Sequence, residues 1–61
     1  MYKIVAIKLY GEYYEKRTYL VKDYEKHISE SGDEFLILTF NDHRTTLAVS
    51  QFDSIDIKRE Y

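Results

Sequence analysis

Two runs near the start of the chain constrain the fold most. Residues 2–10, YKIVAIKLY, and residues 13–21, YYEKRTYLV, are rich in β-branched and aromatic side chains and are separated by Gly11 and Glu12. Such runs favour extended backbone. Glycine at the first central position of a two-residue connection marks a type II′ hairpin turn. The register follows: Tyr10 pairs with Tyr13, and Lys8 pairs with Glu15 as an opposite-charge cross-strand contact. In the first run, Val5, Ile7 and Leu9 share one face, and Tyr2, Ile4, Ala6, Lys8 and Tyr10 share the other. Both faces are substantially apolar, as in a central strand covered on both sides.

Three further strands are predicted. FLILTF (35–40) is the most hydrophobic run and too short for a typical helix. TTLAVS (45–50) returns after the NDHR turn. With Asn41, Asp42 and His43 as a three-residue loop, Ile37 faces Leu47 and Phe35 faces Val49. QFDS forms a bend, after which IDIKR alternates, Ile55 and Ile57 inward and Asp56 and Lys58 outward. The intervening KDYEKHISESGDE (22–34) admits two readings. Asp23 as an N-cap, Tyr24 and Ile28 at i, i+4 and Gly32 as a C-cap give a short helix. Alternatively YEKHIS is a strand and ESGD a turn with Gly32 at positive φ. The prediction is therefore a single all-β domain spanning 1–61, a five-stranded antiparallel sheet or small half-open barrel, with a short helix or an extra strand at 22–31. The expected core is Val5, Ile7, Leu36, Ile37, Leu38, Leu47, Val49, Ile55 and Ile57.

The hairpin FLILTFNDHRTTLAV followed by FDSIDI, in which a one-turn bend leads into the last strand, resembles small β-barrels of the Sm and Src-homology type. Short accessory proteins of phages and mobile elements are similar in this pattern of strands and turns. The resemblance implies a small barrel that acts by binding, for example as an inhibitor of a host defence system, and carries over no functional residue.

A chain of 61 residues buries only about 60% of the surface its unfolded form exposes. It contains no Cys, and its two His are 16 positions apart, so neither a disulfide nor a metal is expected to staple it. No cofactor is implied. A well-packed core and self-association are the remaining means of stabilisation. The Tyr2, Ile4, Ala6 and Tyr10 face of the first strand needs cover from 22–34 or from a second copy, so a homodimer is expected, with Tyr2, Tyr10, Tyr13, Tyr14 and Tyr19 prominent at the dimer or partner interface. No apolar run approaches the length of a membrane span, and no leader pattern is evident; a cytoplasmic location is expected.

Two clusters invite a functional reading. FNDHRTT places Asp42, His43 and Arg44 in succession. Turn chemistry explains them: Asn and Asp tolerate tight turns, and His43 stands at a position suited to the left-handed region, in which His is enriched. Catalysis would need Asp42 to orient His43 toward a nucleophile, and side chains of neighbours in a tight loop diverge. A partner-contacting loop tip is the alternative. In YYEKRTYLVK, the bases Lys16 and Arg17 interleave with Tyr13, Tyr14 and Tyr19, as on sheets that stack single-stranded nucleic acid. Glu15 opposes those cations, and the formal charge is −2, with 9 basic and 11 acidic residues, so nucleic acid is the secondary candidate. Tyr10, Tyr13 and Tyr14 meet at the first hairpin tip, either capping a barrel end or contacting a partner. The carboxylates are scattered, Asp53 in a bend and Asp56 on a strand, without the pairing of an acid–base or calcium site. The sequence thus points to a non-enzymatic protein-binding module, with Tyr10, Tyr13, Tyr14, Arg17, Tyr19, Asp42, His43 and Arg44 as candidate contacts.

Overall fold

A computed structural model describes residues 1–60. The chain is all-β. Strands β1 (Tyr2–Tyr10), β2 (Tyr13–Val21), β3 (Asp23–Ile28), β4 (Glu34–Thr39), β5 (Arg44–Ala48) and β6 (Ser54–Arg59) form two three-stranded antiparallel sheets, ordered β2-β1-β6 and β3-β4-β5. A 3₁₀ turn, Val49–Gln51, leads toward β6. The sheets do not close into a barrel.

The first hairpin forms in the predicted register, with Tyr10 opposite Tyr13 and Lys8 opposite Glu15. Gly11 adopts φ +61°, and Glu12 has no positive φ, the sign pattern of a type II′ turn. The 22–34 segment takes the strand alternative. Lys22 alone separates β2 from β3, so one extended stretch crosses from the first sheet to the second, and the Lys22 N–H donates to the Thr39 carbonyl at 2.8 Å. Gly32 supplies the positive φ, +89°, of the following turn. That turn is closed by Ser29 N–H to the Asp33 carbonyl at 2.8 Å and by Asp33 N–H to Ser29 Oγ at 3.1 Å. Short polar side chains replace the bonds a helix would have made.

Two expectations are corrected. The β4–β5 register differs by one: Leu36 opposes Leu47, Phe35 opposes Ala48 and Ile37 opposes Thr46. The connection is four residues, Phe40 to His43, closed by Phe40 N–H donating to the His43 carbonyl at 2.9 Å. No non-glycine residue among those described has positive φ, so His43 is not left-handed. The longer loop removes that requirement and sets Leu36, Leu38 and Leu47 on one inward face, whereas the expected register would have paired leucine with the outward Ile37.

The second correction concerns the faces of β1. Ile4 and Ala6 are fully buried, with Val21, Leu36, Leu38 and Leu47. Tyr2, Tyr19, Tyr24, Phe40, Val49, Phe52 and Ile55 pack around this cluster. The Ile4 face of β1 is therefore covered by the second sheet of the same chain, not by a second copy. Val5 and Ile7 lie on the opposite face and are only half-buried, as is Ile37 on the outside of β4. Ile55 and Ile57 do face inward, opposite Ala6 and Ile4, though Ile57 sits at the rim and is exposed.

Candidate functional site

The distal half of the β1–β2 hairpin extends past the core as an arm. At its tip Leu9, Tyr10, Tyr13 and Tyr14 are 59%, 50%, 78% and 68% exposed. Strand alternation puts Tyr10 and Tyr13 on one face and the Leu9–Tyr14 pair on the other. The tip is thus aromatic on both sides, a composition enriched where one protein contacts another.

Charges behind the tip hold its inner-side face in one arrangement. Arg17 Nε donates to Glu15 Oε1 at 3.0 Å, the Tyr10 hydroxyl donates to Glu15 Oε2 at 3.3 Å, and Lys8 Nζ lies 5.4 Å from the centre of the Tyr10 ring. The Arg17 hydrogen bond and charge hold the Glu15 carboxyl below its ordinary range, with smaller help from Tyr10 and Lys8. The Tyr19 hydroxyl, then Glu15, hold the Arg17 guanidinium above its own. A backbone clamp from the bend before β6 supports the arm's base. Asp53 N–H donates to the Ile7 carbonyl at 2.8 Å, and Leu9 N–H donates to Asp53 Oδ2 at 2.7 Å. In the sequence Asp53 is only one of the scattered carboxylates. Its acceptor role was hidden because it depends on a partner 44 residues away.

The FNDHR loop is a separate site. His43 Nδ1 and Asp42 Oδ1 are 2.7 Å apart, and the His43 ring stacks on Phe40 at 4.5 Å with an interplanar angle of 8°. The neighbouring side chains converge, contrary to expectation, because the four-residue loop turns both to one side and Phe40 provides a surface for the imidazole. The hydrogen bond with His43, followed by its electrostatic attraction, holds the Asp42 carboxyl below its ordinary range. Met1, Leu20, Lys22, Phe40 and Asn41 complete a shallow recess of about 370 Å³. The recess holds an oriented imidazole, but no Ser, Thr, Tyr or Cys lines it to act as a nucleophile. Arg44 opens β5 opposite Thr39 and is exposed.

The two sets of candidate residues do not form one site. Tyr13 begins β2 and Leu20, in the loop's recess, lies near its end, a span of about 23 Å for seven residues of strand. Tyr19 packs against the core, so of the sequence-selected aromatics Tyr10, Tyr13 and Tyr14 present the accessible surface. A further cleft of about 430 Å³ opens between the sheets, lined by Tyr24, Leu36, Val49, Phe52, Ile55 and Ile57, with the Lys26–Glu34 ion pair at 3.4 Å on its rim. Nothing in the local patterns marked it, because it is formed by two sheets whose mutual placement no short segment encodes. Among the described residues no group of three or more His, Cys, Asp or Glu could hold a metal ion, and no helix is long and apolar enough to cross a membrane. Comparison with known proteins finds no family model, curated protein or solved structure that matches the chain.

Proposed function

We propose that the chain is a small non-enzymatic binding module that occupies a surface of a larger protein through the β1–β2 arm, in the manner of the phage and mobile-element accessory proteins it resembles. In that setting it would work in the host cytoplasm, modulating a larger host protein such as a component of a defence system. The observation that carries the proposal is the aromatic tip: Leu9, Tyr10, Tyr13 and Tyr14 are exposed together on an arm braced by Asp53 and by the Glu15–Arg17 pair. An exposed aromatic group whose backbone is already fixed loses little conformational entropy on binding. Nucleic acid is disfavoured as the ligand because Glu15 engages Arg17.

The test compares wild type with a Tyr13→Ser/Tyr14→Ser variant of unchanged circular dichroism, each immobilised and exposed to extract of the cells in which the protein occurs. A protein retained by wild type at high salt and lost from the variant supports the proposal. Identical capture by both would remove the arm from the interface. Retention of nucleic acid that vanishes steeply with salt would favour the alternative.

A further inference from the structure

We propose that the free edge of β2 pairs antiparallel with β2 of a second copy, about a two-fold axis through Lys16. The backbone directions follow from β1. Its Ile7 carbonyl and Leu9 N–H engage Asp53, and its Met1 carbonyl accepts from Glu60 N–H at 2.7 Å, so the odd residues of this segment direct their backbone groups toward β6. The even residues therefore face β2, and their opposites Tyr13, Glu15, Arg17, Tyr19 and Val21 bond to β1. Tyr14, Lys16, Thr18 and Leu20 point the other way. On that side Lys22 meets β4, and Leu20 lies beside the Phe40–His43 loop. Tyr14, Lys16 and Thr18 are left, all exposed, on a strand whose register with β1 is unbroken from Tyr13 to Val21 and which contains no Gly or Pro. A long edge of this kind is a template for a further strand.

Charge selects a second copy as the occupant and fixes the register. With the axis at Lys16, Tyr14 meets Thr18 of the second copy, and about six ladder hydrogen bonds use all three free residues of each edge. Glu15 then faces Arg17 of the second copy, and Arg17 faces its Glu15. The pair within each strand, 3.0 Å apart, becomes half of an alternating four-charge cluster. A slip to the next register that keeps side chains on their faces would oppose Arg17 to Arg17, or Glu15 to Glu15. The one like-charge contact in the favoured register is Lys16 with Lys16, on the outer face, where like charges directly opposite weaken a ladder.

The test is sedimentation equilibrium across a concentration series, with folding checked by circular dichroism. Wild type is expected to show a dimer that dissociates on dilution. Glu15→Arg and Arg17→Glu should each weaken self-association at least tenfold, and mixing the two variants should restore it as a heterodimer. The double swap in one chain should dimerise like wild type, and Lys16→Thr should dimerise more tightly. Lys16→Pro removes an outward N–H that β1 does not use, so it should yield a folded monomer. A wild type that stays monomeric into the high micromolar range would overturn the proposal. So would a dimer that survives Lys16→Pro, or a pair of charge variants that fails to combine. Tyr14 also meets Thr18 across the axis, so the tip variant Tyr13→Ser/Tyr14→Ser is sedimented alongside its capture assay, and a Leu9→Ser/Tyr10→Ser variant on β1 changes the tip without touching the β2 edge. Partner capture lost from the β1 variant while its dimer persists separates the two proposals.

Discussion

Leu38 and Ile37 are chain neighbours on opposite faces of β4, and truncating each in turn measures which face is the core. Leu38 is completely buried, whereas Ile37 is half-buried on the outer face opposite Glu25 and Thr46. Leu38→Ala removes three carbons from the interior. At about 0.8 kcal/mol each, the transfer contribution is about 2.4 kcal/mol. The cavity left behind takes the total toward the upper part of the roughly 2–5 kcal/mol seen for such changes. A domain of 61 residues has a total stability of about 3–9 kcal/mol, so the variant should lie near its folding limit. At about 4–8 °C per kcal/mol, a total of about 4–5 kcal/mol should lower Tm by roughly 15–40 °C. Ile37→Ala removes the same number of carbons from a site already partly in water, and should cost about 1 kcal/mol, less than half as much. Urea unfolding followed by circular dichroism gives both values if the slopes match wild type. Equal losses, or a larger loss for Ile37, would mean that β4 presents its other face to the core and that the β4–β5 register is off by one.

Three further outcomes are expected. Gly11→Ala should destabilise by about 1–2 kcal/mol in urea titration, because φ +61° strains an L side chain even though a Cβ there would meet no atom within 4 Å. Asp53→Ala should speed hydrogen exchange at the Leu9 amide and cost roughly 0.5–1.5 kcal/mol, the usual range for one lost hydrogen bond; unchanged exchange at Leu9 would show that the clamp does not form. The Asp42 carboxyl, followed by NMR, should titrate below the ordinary aspartate range and move back up in His43→Gln, since His43 is the main cause of the shift. Its folded-state pKa is depressed, so any stability it contributes is present above the unfolded value near about 3.9 and is lost as pH falls through the folded value.

How much was legible depended on the range over which each decision is made. The first hairpin could be read to the residue because its turn is set by Gly11 and its register by a two-residue connection, both local. Tyr10, Tyr13 and Tyr14 were legible as an exposed tip for the same reason. The second hairpin turned on whether Phe40 belongs to the strand or to the loop. FLILTF is apolar at every position but Thr39, so alternation gives little parity, and a one-residue difference in loop length flips the register. The Asp42–His43 contact depends on that same loop length, which turns both side chains to one side.

The faces of β1 show where local reading ends. Val5, Ile7 and Leu9 are more hydrophobic in sum than Ile4 and Ala6, and on composition the first set belongs in the core. The hairpin register does not decide it, because Val5 and Ile7 oppose Thr18 and Lys16, while Ile4 and Ala6 oppose Tyr19 and Arg17. Strand β6 decides. Its alternation was legible, with Ile55 and Ile57 on one side and Asp56 and Lys58 on the other, and it pairs Ile57 with Ile4 and Ile55 with Ala6. A cleanly amphipathic strand thereby assigns the inner face of its two-faced neighbour, but only through a pairing across some fifty residues that no local pattern contains. The same pairing leaves Val5 and Ile7 outside, between Lys3, Lys16, Asp56 and Lys58. Their half-burial comes from this fringe of long charged side chains, whose aliphatic stems cover apolar surface while the charges stay in water. The apolar excess on β1 that suggested a second copy is covered on one side by the chain's own second sheet and screened on the other by its lysines, so the case for a dimer rests on the free edge of β2 and its charges.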